Sequence, residues 1–422
     1  MTWQQLLDEL CTAISSHDTL KLAMFLLRII NLQDMEDFRP EQTSLDFMLI
    51  NRSIAAAQRG GGGSGDEFFQ QLFLLCMDLL VALKSGNVDT QIRCQTEQIN
   101  LLSKRLLDEP SFFLMPIIIV AKNLRRVVFS NYPPNSARML DDSTATPTVD
   151  SFTNAIQRPF KLLISNKSDN TINISAIHIF ASHLFSIYFK YNKLNAVINL
   201  YKVLSNTVLS DTARDTRRIE MSPMLPTQSL FDYFIGLSLL VQSNYEKSFA
   251  FFNSAYQNKH SRSLDLKILF YLLPLNYLIS KKLPTDAFFQ KHPDLKVIQP
   301  LYTCIKKLSL SDYNKNLEAF KFLLLRFKVY SLYIKFQTMI QLQTLKTAYA
   351  IYKDTQTPEQ LQKAHIVAFS FFTTSLNLGT SCTQTDFDTE CLLCRLIATN
   401  NIKGYLSHAK QVIVLSKSSP FP

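Results

Sequence analysis

From Trp3 to Ile30 the apolar residues fall at Leu6, Leu7, Leu10 and Ile14, then at Leu20, Leu22, Phe25, Leu26 and Ile29. That spacing predicts two successive helices, each burying one face. Asp66 stands where it can cap a further helix through Phe69, Leu72, Phe73, Cys76, Leu79, Leu80 and Leu83. The segment "ISAIHIFASHLFSIYFKYNKLNAVINLYKVLSN" holds two amphipathic runs joined at Tyr191-Asn192-Lys193, and "SLFDYFIGLSLLVQSNYEKSFAFFNSAYQ" repeats the design about Ser243-Asn244. Gly236 and Ala255 are small where the helices of the second pair would approach closely, the spacing logic of tetratricopeptide-like hairpins. Further units read over "SLDLKILFYLLPLNYLISKKLP", where Pro274 is expected to kink the helix, and "SLSDYNKNLEAFKFLLL". Stacked helical hairpins are therefore expected over roughly 170–325.

The pattern changes in the last hundred residues. "TLKTAYAIYKD", "TPEQLQKAHIVAFSFFTTSLN" and "TDFDTECLLCRLIATNN" read as three helices. The second starts at Thr357-Pro358, and the third is capped by Thr385 with Asp386 and Asp388 at its positive end. "IKGYLSH" and "QVIVLS" then alternate about a tight turn at His408-Ala409-Lys410, which predicts a two-stranded hairpin. Three helices followed by a hairpin describe a winged helix, with the hairpin as its wing. The expected fold class is all-α, a tetratricopeptide-like helical-repeat solenoid followed by a C-terminal winged helix with a small β-hairpin. The organisation reads as an N-terminal helical region over 1–150, the repeats over 151–325 and the winged helix over 326–422.

Composition agrees with a compact helical chain: 47% of residues are hydrophobic, 18% are charged, and five of only nine glycines sit in "GGGGSG" at 60–65. That run reads as a flexible linker, because no Gly-Lys-Ser/Thr follows to make it a phosphate loop. The apolar stretch Phe112 to Ala121 contains Pro116 and reads as core, so no run is expected to cross a bilayer and no membrane contact is expected. Asp8 and Glu9 speak against a secretory leader, and seven cysteines at irregular spacing suit a reducing compartment, cytoplasm or nucleus. Cys391-x-x-Cys394 has no second pair at zinc spacing and reads as two buried structural thiols. His178 and His183 lie along an apolar run and read as core or boundary residues. No dinucleotide fingerprint, P-loop or carboxylate dyad is present, so no catalytic residue, metal ligand or cofactor is expected.

Charge sharpens this picture. Lys and Arg number 44 against 34 Asp and Glu, a net of +10, which favours a polyanionic partner. From Lys321 onward there are eleven Lys or Arg against five Asp or Glu, a net of +6. Lys353, Lys363, Arg395, Lys403, Lys410 and Lys417 fall on or beside the winged-helix elements, and His408 sits at the wing turn. With Arg395 the one base-edge candidate on the third helix, contacts to the phosphate backbone are expected rather than sequence readout. The competing reading is that these lysines serve solubility on a winged helix used for protein contact.

Three strings go further. "LFSIYFKYNKL" at 184–194, "ILFYLLPLNYLISKKLP" at 268–284 and "IKGYLSHAKQVIVLSKSSPFP" at 402–422 resemble the PCI-domain subunits of TREX-2-type transcription-and-mRNA-export complexes. The resemblance covers roughly Phe152 to the end. It implies a non-catalytic scaffold at the nuclear pore within a hetero-oligomer. The implied partners are a larger PCI scaffold protein of GANP/Sac type, a small acidic Sem/DSS-type protein wrapped on the repeats, and RNA or DNA bound jointly by two adjacent winged helices. A close paralogue, the signalosome-associated PCI protein of fungi, acting in transcription elongation and splicing, shares the same ending and stands as the alternative. A purely structural PCI subunit without nucleic-acid binding is a further alternative. The wing match implies phosphate contacts at Lys403, His408, Lys410 and Lys417, while Lys353, Lys363 and Arg395 rest on helix placement. Tyr405 and Phe421 are candidate contacts to the scaffold partner, against the competing reading that each packs onto the wing's own third helix.

Overall fold

The computed structural model describes residues 3–31, 47–58, 66–134, 145–166, 171–207, 228–258, 262–357, 364–378 and 383–422. The glycine run and Lys363 lie outside the described residues. The chain divides into two compact units, Met1–His260 and Ser261–Pro422.

In the first unit the helices are α1 (Trp3–Ser15), α2 (Thr19–Asn31), α3 (Phe47–Gln58), α4 (Asp66–Ser85), α5 (Val88–Lys104) and α6 (Pro110–Asn131). They continue as α7 (Ala145–Ser165), α8 (Thr171–Lys190), α9 (Leu194–Thr207), α10 (Gln228–Val241) and α11 (Tyr245–Gln257). Sequential neighbours pair as expected for a helical stack, and α6 also packs on α8 and α2. The turns use the residues the pattern singled out. Asn192 and Ser243 adopt the left-handed backbone at φ 54° and 59°, and the Asn244 side chain caps α11 by accepting from the Lys247 N–H. Between α10 and α11 a Cβ on Gly236 would lie 3.0 Å from the Phe252 ring, so a larger residue here would push that ring aside. Ser248 and Ser229 seal the same pair by donating to the carbonyls of Gly236 and Ala255, each at 2.8 Å.

The second unit begins with α12 (Arg262–Ser280), which runs on through Pro274, then α13 (Asp286–Lys291), a 3-10 turn, α14 (Gln299–Lys307), α15 (Leu310–Ala319), α16 (Lys321–Arg326) and α17 (Tyr330–Asp354). Buried aromatic residues hold these together. Tyr302 and Tyr333 hydroxyls lie 3.1 Å apart, and Tyr313 donates to the Tyr333 carbonyl at 2.7 Å. The stretches Glu67–Ser85 and Arg262–Ser280 are long and apolar enough to cross a membrane, which corrects the reading that no run is. In this fold 44% and 50% of them are buried inside the protein, the use a core helix makes of the same composition.

The winged helix follows as β1 (Ile366–Ala368), α18 (Phe369–Asn377), α19 (Asp386–Ala398), β2 (Gly404–Ser407) and β3 (Val412–Leu415). The sheet is antiparallel in the order β1-β3-β2. The hairpin β2–β3 forms as the alternation predicts, but "HIVAF" departs from its expected helix and adds β1 as a third strand. Val367 is buried between two exposed neighbours, and pairing with β3 supplies the backbone hydrogen bonds that a helix would otherwise supply. The helix starts only at Phe369, whose N–H donates to the Gln411 carbonyl at 2.9 Å. Val367, Phe369, Phe372, Leu392, Leu393, Leu396, Ile413 and Leu415 close the core against Leu345 and Tyr349 of α17.

Candidate partner and nucleic-acid interface of the winged helix

The helix α19 starts as its sequence suggests. Thr385 Oγ1 accepts from the Asp388 N–H at 3.2 Å, and Asp388 returns the bond by accepting from the Thr385 N–H at 2.9 Å. These bonds, the backbone one first, hold the Asp388 carboxyl below its ordinary range. Asp386 accepts from the Thr373 hydroxyl at 2.6 Å, tying α19 to α18. The first half of α19 thus carries Asp386, Asp388 and Glu390. A recognition helix reads a duplex with its N-terminal residues, so these carboxylates would meet phosphates and repel them. Arg395 lies further along and donates to the Thr338 hydroxyl of α17 at 3.2 Å.

Cys391 and Cys394 are exposed, which corrects their reading as buried thiols. The helix turns Thr389, Leu392, Leu393 and Leu396 inward, and a step of one residue rotates a side chain by about 100° onto the outer face. Among the described residues no cluster of His, Cys, Asp and Glu is arranged to hold a metal ion.

The wing is shaped by close backbone contact. A Cβ on Gly404 would come 2.4 Å from the Val414 carbonyl oxygen, so this strand start admits glycine alone. Gln411 takes the left-handed conformation at φ 52°, and its N–H and side-chain amide both donate to the His408 carbonyl. His408 Nδ1 lies 2.9 Å from the Glu390 carboxylate, so its imidazole is engaged by α19. Lys410 is exposed at the tip beside it. At the other end of the hairpin the Lys403 N–H donates to the Pro420 carbonyl and the Ser416 N–H donates to Lys403. That pairing holds the Lys403 backbone against Ser416, the residue before Lys417, at the open end of the hairpin.

Lys353 joins this end through a chain of contacts. Its ammonium lies 5.9 Å from the centre of the Tyr349 ring, Tyr349 packs on Phe421 at 5.8 Å, and Phe421 follows the carbonyl that holds Lys403. Lys353, Lys403 and Lys417 are all exposed, and among the described residues none forms an ion pair. Arg395 belongs elsewhere: its partner Thr338 is fifteen residues from Lys353, roughly 22 Å along α17. Lys410 is separated from Lys403 by the length of β2, about 13 Å. The expected cationic set therefore divides into three lysines that belong to the open end of the hairpin, Lys410 at its tip and Arg395 apart from both.

Phe421 is half-buried and packs against the core of its own winged helix at Tyr349, the competing reading of this residue. Tyr405 does the opposite. It is 65% exposed and stands on the outer face of the sheet, not against α19. The register places it opposite Val414, which in turn faces Ile366, 42% exposed. Ile366, Val414 and Tyr405 thus form an apolar row across three strands on the solvent side. Ile366 and Val414 were missed in the sequence because β1 was read as helix, which hid the third member of the ladder.

A stack of helices ending in a winged helix is the architecture of PCI-domain proteins, and residues 310–417 match the family model described as PCI domain. The chain is related to proteins named "PCI domain-containing protein 2" and "Protein CSN12 homolog". It is 28% identical over 244 residues to the PCI domain-containing protein 2 homolog of Drosophila melanogaster, covering 57% of this chain and 56% of the fly protein. It is 24% identical over 358 residues to the CSN12 homolog of Debaryomyces hansenii, covering 77% and 79% of the two chains. With the PCI domain-containing protein 2 homolog of Caenorhabditis elegans it shares 26% identity over 376 residues, 85% and 84% of the two.

Proposed function

We propose that this protein is a non-catalytic scaffold subunit of a nuclear hetero-oligomer, akin to the signalosome-associated CSN12-type proteins, and that its winged helix docks a larger PCI protein. The carrying observation is the row Ile366–Val414–Tyr405, an apolar, solvent-facing strip across the three strands. Aromatic anchors ringed by polar residues are the usual centres of binding energy in such interfaces. The names of the relatives and the match to the PCI family support a scaffold role. Tyr405→Asp combined with Ile366→Asp is expected to abolish co-purification of the larger PCI protein while leaving the helical circular dichroism spectrum intact. Undiminished co-purification would sink the docking face. The identity of the captured partner also separates a CSN12-type assembly from an export complex.

A second reading rests on the three lysines at the open end of the hairpin. In a TREX-2-type export complex at the nuclear pore, Lys353, Lys403 and Lys417 would neutralise phosphates beside the partner's winged helix, and a small acidic protein would wrap the helical repeats. The ending "KGYLSHAKQVIVLSKSSPFP" and the lack of ion pairs at these exposed lysines among the described residues favour it. Lys403→Glu with Lys417→Glu should lower RNA or DNA retention by the assembled complex several-fold and leave subunit composition unchanged. Retention unaltered at low salt counts against it.

A further inference from the structure

The helices α6 and α8 pack together in the first unit, and neither contains an Asp or Glu. Between them they carry Lys122, Arg125, Arg126 and Lys190. Lys122, Arg125 and Arg126 fall at i, i+3 and i+4, one face of α6. Lys190 reaches that face from α8, with its ammonium 5.0 Å from the centre of the Phe129 ring, one turn beyond Arg126. No ion pair involves any of the four among the described residues.

One of the four cations and a neighbouring histidine are withdrawn from water. Arg125 is half-buried, and its desolvation, with Arg126 beside it, already disfavours its charge. His183 of α8 is 6% exposed, feels the charges of Arg125 and Lys122, and among the described residues its Nδ1 has no hydrogen-bond partner. Arg125 is half-buried and its three neighbouring cations are exposed, with no counter-charge on either helix, so an anion seated among them offsets the desolvation of Arg125 and their mutual repulsion.

We propose that this face, Lys122, Arg125 and Arg126 of α6 with Lys190 of α8, binds the phosphates of a single-stranded nucleic acid. The guanidinium fork suits phosphate oxygens. The cations follow one another along about 10 Å of helix with no interrupting carboxylate, which suits a continuous polyanion better than one isolated acidic side chain. The half-buried rings of Phe129 and Tyr191, 6.1 Å apart, lie at the far end of the strip, where a base could rest on their edges. This site is separate in sequence from the winged-helix lysines and does not depend on the docking face.

The test is fluorescence anisotropy of labelled oligouridylate with the full chain. Lys122→Glu with Arg126→Glu, both exposed positions, should weaken binding by about tenfold or more and reduce the slope of log affinity against log salt by roughly 0.7 per lost contact. The neutral pair Lys122→Gln and Arg126→Gln should give a smaller loss in the same direction. In the wild-type chain, saturating oligouridylate should raise the midpoint of the His183 imidazole titration followed by NMR, because the bound anion offsets the field of Arg125 and Lys122. Affinity and salt slope unchanged in both variants would overturn the proposal. So would labelled polyglutamate binding through these residues while oligouridylate does not. The Tyr405 and Ile366 changes should leave this binding intact, so loss of the docking face and loss of this site are distinguishable.

Discussion

His183 shows how position decides chemistry. Burial, then Arg125 and Lys122, push its imidazole down to about 3 from an ordinary 6.5. The folded protein therefore holds it neutral at pH values where the unfolded chain takes up a proton. With the folded value depressed, the stability this neutral histidine confers is complete above 6.5 and is lost as pH falls from there toward 3, at up to about 1.4 kcal/mol per pH unit. His183→Phe should flatten the loss of stability between roughly pH 4 and 6, measured by urea denaturation across that range. An acid limb of unchanged steepness would show that other groups govern it. Phe421 and Tyr405 make the complementary point. Both are aromatic residues of the tail, yet one ring packs on Tyr349 and the other faces solvent. Nothing in their local sequence distinguishes them, because the difference lies in which strand face or chain end meets α17.

Among the elements, the helices that could be read were those with a single buried face and a recognisable start or stop. Thr385 capping α19 and the turns at Asn192 and Ser243 belong here, since their chemistry is local. The strand β1 could not be read, because three residues are too few for a period to show and its extended state depends on β3. Gly404 links that strand pairing to a measurable cost. Gly404→Ala would force a Cβ against the Val414 carbonyl, so the β2–β3 pairing must shift. A loss of about 1–3 kcal/mol is expected, read as a lower midpoint in chemical denaturation. A variant as stable as the parent would mean that the wing contributes little to the fold. The exposure of Cys391 and Cys394 was legible in principle from the inward positions of Leu392, Leu393 and Leu396, since helical rotation alone puts them outside.

For the whole molecule, the net charge of +10 finds a spatial meaning in separate groups of cations. Three lysines gather at one end of the wing, and a second set lies along α6 and α8. If an acidic protein wraps the helical repeats, as proposed for the assembled complex, its addition should raise the thermal midpoint with concentration. About 0.5 M salt should largely remove that gain by screening. A midpoint indifferent to the acidic protein would argue against that partner.

By itself the sequence determined the helical class, the hairpin turns, the cap of α19 and the presence of a wing, because each follows from the spacing of neighbours within a few residues. Only the tertiary structure decided that Ile366 joins Val414 and Tyr405, that Phe421 packs on Tyr349, and that the charges of Lys122 and Arg125 act on His183. Those pairs are separated along the chain by dozens of residues, or depend on a strand finding its partner. Contact at that range is set by packing, which no local period records.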